Sequence, residues 1–387
     1  VISVDFVSGP LLLTKMKLII AAIPVLVALS MVYYPPIFVN LCMLVDFYTS
    51  WKMFDSPLYE KYHNFITSRL PVKEAIPLPE ISKEDATFER VLKESHDFTF
   101  PLVIRGLMGN TSAVQNWHNH DYWIDNYGDE EMLCGLPGED PIEGECTVKG
   151  FFEAWKKGKP FYISGASTIF ERHPELHEMI DNEHIRSLEP GTRTNSQVFI
   201  GLPGMGSDIH SAIGVNMFRQ VAGQKQWWFI PPSETCYLWP AINVNGFSAH
   251  TKTKIGKNGE PSPWFNKLTR YTTVLNPGDV LINPPWFWHG IKNLGDPDTL
   301  VIGSPTRYGS KVKLPAFRTN LLLTLNAYSM FINRYGLAFL KPGFKPNLQG
   351  DIGKNRVVRV QEMKESAAEN GANSPVEELH PFDEADQ

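Results

Sequence analysis

The chain has 387 residues, 43% of them hydrophobic and 12% aromatic, enough to bury a large core, so one sizeable domain with appendages is expected rather than two equal ones. Its net charge of -6 and its scattered 36 Lys and Arg residues leave no basic face and exclude a general nucleic-acid footprint. Four cysteines, Cys42, Cys134, Cys146 and Cys236, fit neither a dense disulfide framework nor a CxxC zinc site. Cys134 and Cys146 flank the loop GLPGEDPIEGE and either close one disulfide in an oxidising compartment or remain two free thiols.

Residues 1–15 read as an uncertain leader. Residues 16–50 are expected to direct the chain to a membrane, as a signal anchor or a cleaved signal peptide. The run LIIAAIPVLVALSMVYY (18–34) is uncharged and follows Lys15 and Lys17; after Pro35 and Pro36 comes a second apolar stretch, IFVNLCMLV. As a helix the first run covers about 25 Å, just short of a ~30 Å hydrocarbon core. Pro24 inside it leaves a buried core helix as the alternative. Lysines before the span put the following domain on the lumenal or extracytoplasmic side of a single-pass protein, with membrane contact through residues 18–48. Asn110-Thr111-Ser112 is a compatible glycosylation sequon.

Residues 51–86, rich in Pro and charge, read as a stalk. The main domain, 87–310, opens with the strand FTFPLVIRGL, continues through helical patterns around Trp117–Tyr127 and Phe151–Lys157, and returns to a strand at PFYISG. After Thr194 the pattern is β throughout: SQVFIGL, GVNMFRQV, KQWWFIPP, RYTTVL, DVLINPP, FWHGIKN and DTLVIG are short, apolar or alternating, and separated by Gly, Pro or Asn. Such spacing predicts a mainly β fold, a sandwich or barrel. Residues 241–270 lack the pattern and read as a long inserted loop. Residues 311–345 are helical; positions 316–340 suit an amphipathic helix packed on the domain, on a twin subunit or on a membrane surface. Residues 346–387 form an acidic tail expected to be disordered.

Iron chemistry on O2 commonly uses two His and one carboxylate, leaving adjacent coordination positions open. The segments IGLPGMGSDIHSAIGVNMFRQVAGQKQWWFIPP and NPGDVLINPPWFWHGIKN resemble the JmjC family, particularly its asparaginyl-hydroxylase-like branch. The resemblance implies a double-stranded β-helix of the jelly-roll, cupin type with flanking helices, added to the N-terminal membrane helix. It also implies Fe(II) and 2-oxoglutarate as cofactors. His210 stands where the family has the leading His of its HxD/E motif, and His289 at the distal His. Lys225 matches the lysine that pairs with the distal carboxylate of 2-oxoglutarate. Ser207, Asn216 and Tyr162 match further residues around the same cofactor.

One departure outweighs these matches: the carboxylate position two after His210 is Ala212, which cannot bind a metal. Three readings follow. The protein is a pseudoenzyme that keeps the fold without catalysis or cofactor. Alternatively, two His and 2-oxoglutarate hold iron, with water or a halide in the vacant place, as in iron halogenases that carry Ala or Gly there. In the third, Asp208 substitutes as a ligand, since residues i and i+2 on a strand share a face, although a turn hydrogen bond is its plainer role. The functional expectation is therefore a membrane-anchored 2-oxoglutarate oxygenase acting on a protein side chain or small molecule. Its rival is an inactive JmjC-like subunit of a membrane assembly. Histone demethylation is disfavoured by the membrane segment and the lack of reader modules or zinc clusters.

Overall fold

The structure, a computed structural model, describes residues 30–49, 53–135, 142–157, 162–242, 248–255, 261–310 and 314–336. In chain order the described strands begin with β1 (Ala75–Pro77), β2 (Glu80–Ser82), β3 (Leu102–Arg105), β4 (Glu131–Gly135), β5 (Ile142–Thr147), β6 (Tyr162–Ala166), β7 (Gly191–Ser196) and β8 (Val198–Gly201). They continue with β9 (Gly206–Ala212), β10 (Val215–Ala222), β11 (Gln224–Ile230), β12 (Pro240–Ile242), β13 (Ser248–Thr251), β14 (Arg270–Leu275), β15 (Val280–Asn283), β16 (Trp288–Leu294) and β17 (Val301–Ser310).

One sheet has the order β1-β14-β11-β16-β9-β13-β12; the other runs β2-β3-β15-β10-β17-β8-β6-β4-β5, with β7 also paired to β17. Pairing is antiparallel except for the short parallel ladders β1–β14 and β2–β3. The expected cupin-type jelly roll with flanking helices is therefore present, built as two mixed sheets rather than a closed barrel.

Strand alternation decides what faces the space between the sheets. Along β10, Val215, Met217 and Val221 join the outer core of the ten-stranded sheet, which leaves Asn216 and Phe218 pointing inward. Along β11, Trp227 and Phe229 point inward, and Lys225 shares their face. Phe218 meets Trp227 across the sheets at 4.8 Å. The corner that carries the chain from β10 in one sheet to β11 in the other is Gly223. Its φ is 61°, and a Cβ there would lie 2.8 Å from the Leu300 carbonyl, so only glycine fits. This inner core of Val103, Phe218, Trp227, Phe229, Leu281 and Ile291 fills only part of the gap, and polar side chains occupy the rest.

Outside the ten-stranded sheet, helices bearing Trp117, Trp123, Phe151, Phe152, Phe170 and Ile185 bury an apolar layer. Each such side chain contributes roughly 1.5–3 kcal/mol of transfer free energy. Arg219, on the outward face of β10, is fully buried there. It pairs with the equally buried Asp181 at 2.7 Å, and Nη1 donates to Thr306 at 2.8 Å.

The seven-stranded sheet is covered by segments expected to lie outside the domain. Residues 51–86 are not a stalk: Pro57–Ser68 is a helix, started by Pro57 and by the Ser56 hydroxyl accepting from Tyr59 N at 3.2 Å. It buries Tyr59, Tyr62, His63 and Ile66, one face at i, i+3, i+4, i+7, while β1 and β2 extend the edges of the two sheets. The stretch IFVNLCMLV lies in the helix Pro35–Thr49, which buries Val39, Cys42 and Met43 in the same layer. Helix Leu321–Tyr335 packs on it, with Asn326 Nδ2 donating to Asn40 Oδ1 at 3.0 Å. Among the described residues no helix is long and apolar enough to cross a membrane. Positions 18–29 of the apolar run, the leader 1–15 and the tail 346–387 lie outside them. Nor is 241–270 only a loop: β13 joins the seven-stranded sheet beside β9, and β14 begins at Arg270. Cys146 is disulfide-bonded and Cys42 and Cys236 are free thiols, while the Cys134 side chain lies outside what is described.

Candidate functional site

His210 on β9 and His289 on β16 are directly opposed in register, and their rings lie 4.3 Å apart between centroids. The sheets seat both. His289 packs beside Trp227 and Phe229, at 5.5 and 5.8 Å, and is 6% exposed; His210 is partly buried. Each ring is fixed through Nδ1. His210 Nδ1 donates to the Asp208 carbonyl at 2.9 Å, and His289 Nδ1 donates to the Phe287 carbonyl at 2.9 Å. A carbonyl only accepts, so in both neutral rings Nε2 carries the lone pair, the arrangement that metal-binding histidines adopt. Burial holds both neutral: it lowers His210 well below the usual imidazole range, helped by His289 and His250, and lowers His289 to about 4.

The third corner of a metal site is missing. Ala212 offers no donor, and the Asp208 carboxylate is engaged by Lys254 at 3.3 Å. Among the described residues no group of three or more His, Cys, Asp and Glu side chains is placed to hold a metal ion. His250 on β13 is opposed to His210, its ring stacked at 5.9 Å, but it is exposed at the mouth. The sequence pattern did not single out His250, because its strand is short and flanked by irregular chain.

The other resemblance-derived residues divide by position. Lys225 is fully buried, opposed to Asn293 in register, with Nζ 5.3 Å from the Phe218 ring centroid. Its ammonium has no hydrogen-bond partner, and burial alone lowers it to about 7. Tyr162 lies across β8 because Gly201 has no side chain: a Cβ there would be 2.4 Å from the tyrosine ring and 3.2 Å from Asn293 Nδ2. The Tyr162 hydroxyl and Asn293 Oδ1 are also buried without partners, and burial raises the Tyr162 phenol. Ser207 instead contacts His210 Nδ1 at 3.4 Å.

Nearer the His pair, Asn216, Asn283 and Arg307 form one row across β10, β15 and β17, with Asn216 opposed to both of the others. Asn283 Nδ2 lies 3.3 Å from His289 Nε2, while Asn216 Oδ1, Asn283 Oδ1 and Arg307 Nε are buried with no partner. Arg307 went unremarked in the sequence, where it counts as one of many surface cations. Only its odd-numbered register in β17, opposite the outward Thr306 and Tyr308, marks it as inward. Its guanidinium acts on both histidines, lowering them further, and is itself lowered by burial. Neither Lys225 nor Arg307 has a carboxylate partner among the described residues.

This donor set does not fit the Fe(II) centre that the resemblance implies. Two imidazoles lack an acidic third ligand, and the Arg307 guanidinium on the facing sheet acts on both of them as a cation. The unpartnered donors Lys225 Nζ, Tyr162 Oη and Arg307 Nε do fit an anion with several oxygens, whereas Asn293 Oδ1 and Asn216 Oδ1 call for a donor, since buried polar groups otherwise go unsatisfied at a cost of about 1–3 kcal/mol each. An apolar cavity of about 280 Å³ between β10, β17 and the C-terminal helices, lined by Leu314, Phe317, Ala327 and Phe331, contains none of these groups and is not the site.

Known proteins bear on these findings at the level of family. HSPB1-associated protein 1 from Rattus norvegicus is 34% identical over 112 residues, 28% of this chain and 23% of that protein. The tRNA wybutosine-synthesizing protein 4 of Neurospora crassa is 24% identical over 237 residues, 55% of this chain and 19% of that protein. Jumonji C domain-containing protein 5 of Drosophila melanogaster is 22% identical over 208 residues, about half of each chain. The chain thus spans about a quarter of the length of the HSPB1-associated relatives. The model of the cupin-like domain matches residues 88–302, from the helix Phe88–Glu94 to the start of β17, and the chain belongs to the cupin-like domain family.

Proposed function

We propose that this protein is a cupin-fold binding protein that keeps the anion-binding interior of a JmjC-type oxygenase and lacks its metal centre. On this reading it acts through what it binds, as an inactive subunit, rather than by oxidation. The observation that carries it is the combination of Ala212 with Arg307: the acidic ligand is absent, and a largely buried guanidinium on the facing sheet acts on both histidines. The rival, a 2-oxoglutarate oxygenase with a two-His iron, draws support from the Nε2 lone pairs of the two rings, although that of His289 is met by Asn283 Nδ2 at 3.3 Å. Anaerobic incubation with Fe(II) and 2-oxoglutarate, followed by metal analysis and assay of 2-oxoglutarate decarboxylation, separates them. The expected result is no stoichiometric iron and no turnover; iron at one per chain with turnover overturns the reading. Ala212→Asp should then raise metal affinity at least about tenfold, as one added charged donor does in such sites.

The compartment is part of the same proposal. A disulfide at Cys146, an exposed Asn110 within its sequon, and the apolar run 18–34 support an anchored protein whose domain lies on the lumenal or extracytoplasmic side.

A further inference from the structure

We infer that the outward faces of the helices Pro35–Thr49 and Leu321–Tyr335 form one apolar surface that lies in the interfacial layer of a phospholipid bilayer, a second membrane contact that holds the folded domain against the bilayer. The inference rests on the anchored placement proposed above and adds a part of the folded domain to it.

Its first support is an inverted helix pattern. A helix on a water-facing surface turns polar residues outward. The neighbouring helix Pro57–Ser68 does so, exposing Glu60, Lys61 and Asn64. Between Leu321 and Ile332 the exposed positions are instead Leu321, Leu325, Tyr328 and Ile332, at i, i+4, i+7 and i+11, while the polar Thr324 and Asn326 are buried. On Pro35–Thr49 the matching stripe is Ile37, Leu41 and Tyr48, and the buried Asn40 accepts from Asn326 between the helices. Polar contacts between helices with apolar groups outside suit a hydrocarbon surrounding, which offers no hydrogen bonds. No charged residue lies between Leu321 and Ile332. Asp46, the one charge of Pro35–Thr49, turns to the following segment and accepts from Phe54 N at 3.0 Å.

The second support is continuity. Both helices bury their other faces in one core layer, through Val39, Cys42, Leu323 and Ala327, so the two stripes point the same way. The Tyr48 and Ser329 hydroxyls join them at 2.5 Å. Each side chain of the two stripes is 44–54% exposed. Together they leave an apolar area on the order of 500 Å², at the upper end of what a soluble monomer exposes in one patch. Val32, Tyr33 and Tyr34, more exposed still, carry the surface back into the uncharged run 18–34. Leu41 is only about 9 Å along the helix from Pro35, so a bilayer that takes up the run also meets the stripe. Tyr33, Tyr34, Tyr48 and Tyr328 supply the amphipathic rings that membrane–water interfaces favour.

The test attaches the environment-sensitive fluorophore nitrobenzoxadiazole to Leu41→Cys, to Leu325→Cys and to the control Asn126→Cys, exposed on the helix His120–Tyr127 outside the other sheet. The full chain carrying each label is reconstituted into vesicles of palmitoyl-oleoyl phosphatidylcholine, with the parent chain treated alike for background. Emission is then compared with that in vesicles of the same lipid brominated on its acyl chains. Quenching of at least about twofold at Leu41 and Leu325, with less than about a tenth of the signal lost at Asn126, is the expected result. A chain that floats with the vesicles while the Leu41 and Leu325 labels stay unquenched overturns the inference alone, whether those labels sit in water or under a second copy, which crosslinking reveals. A chain that does not float with the vesicles overturns the inference and the anchored placement together. Leu325→Glu in the Leu41→Cys chain keeps the result interpretable, because the position is exposed and the melting temperature in detergent should stay within about 2 °C of the parent. Quenching at Leu41 should then fall at least about twofold; unchanged quenching in that folded variant overturns the assignment.

Discussion

Lys225 shows how a single side chain carries the argument. Burial alone brings its ammonium from 10.5 to about 7, so the folded state binds a proton less readily than the unfolded one. The resulting destabilisation is fully present below pH 7 and is relieved as pH rises from there toward 10.5. Lys225→Met should therefore stabilise the ligand-free protein by several kcal/mol near pH 6 and by much less near pH 10, as read from urea unfolding at the two pH values. A gain that grows with pH would contradict it. Binding of an anion beside Lys225 should restore the charged ammonium, so the reaction takes up a proton near pH 8, which calorimetry in buffers of different ionisation enthalpy detects. The histidines, Lys225 and Tyr162 were legible in the sequence because the motifs around them resemble a family. Arg307 was not, since an arginine in TRYGS looks like surface until the partner of each strand residue is known.

At the scale of elements, the ion pair of Asp181 with Arg219 ties the connection before β7 to the outer face of β10, with Arg193 joining at 2.5 Å. Asp181→Ala leaves a fully buried guanidinium unpaired and should cost about 3–5 kcal/mol in denaturant unfolding, whereas a cost under about 1 kcal/mol would show the pair to be dispensable. Most strands were visible as alternating runs between Gly, Pro and Asn turns. Three elements were hidden for distinct reasons. The prolines and charges between residues 51 and 86 obscured the Tyr59, Tyr62, His63, Ile66 face of a helix. The shortness of β13 obscured its ladder with β9 and with it the position of His250. Pro305 inside β17 cut the strand pattern short, so the inward row ending at Arg307 went unread.

The whole molecule joins a helix-covered jelly roll to an N-terminal apolar run, and its oxidised Cys146 sets a condition on where it folds. If the domain lies in a glycosylating compartment, the expressed chain should shift on endoglycosidase treatment and Asn110→Gln should abolish the shift; an unmodified parent chain would contradict that placement. The β-rich fold class was readable from strand spacing, and His210 and His289, expected to lie together, are directly opposed across β9 and β16. Whether the site works as a redox centre depends on a residue type, Ala212, and on a charge, Arg307, that only the three-dimensional register brings together. The most direct measurement is the visible spectrum of the full chain titrated anaerobically with Fe(II) in the presence of 2-oxoglutarate, where a 2-oxoacid chelated to iron gives a charge-transfer band. No band is expected at any iron concentration; a saturable band at one iron per chain would contradict the reading of a site without a metal centre.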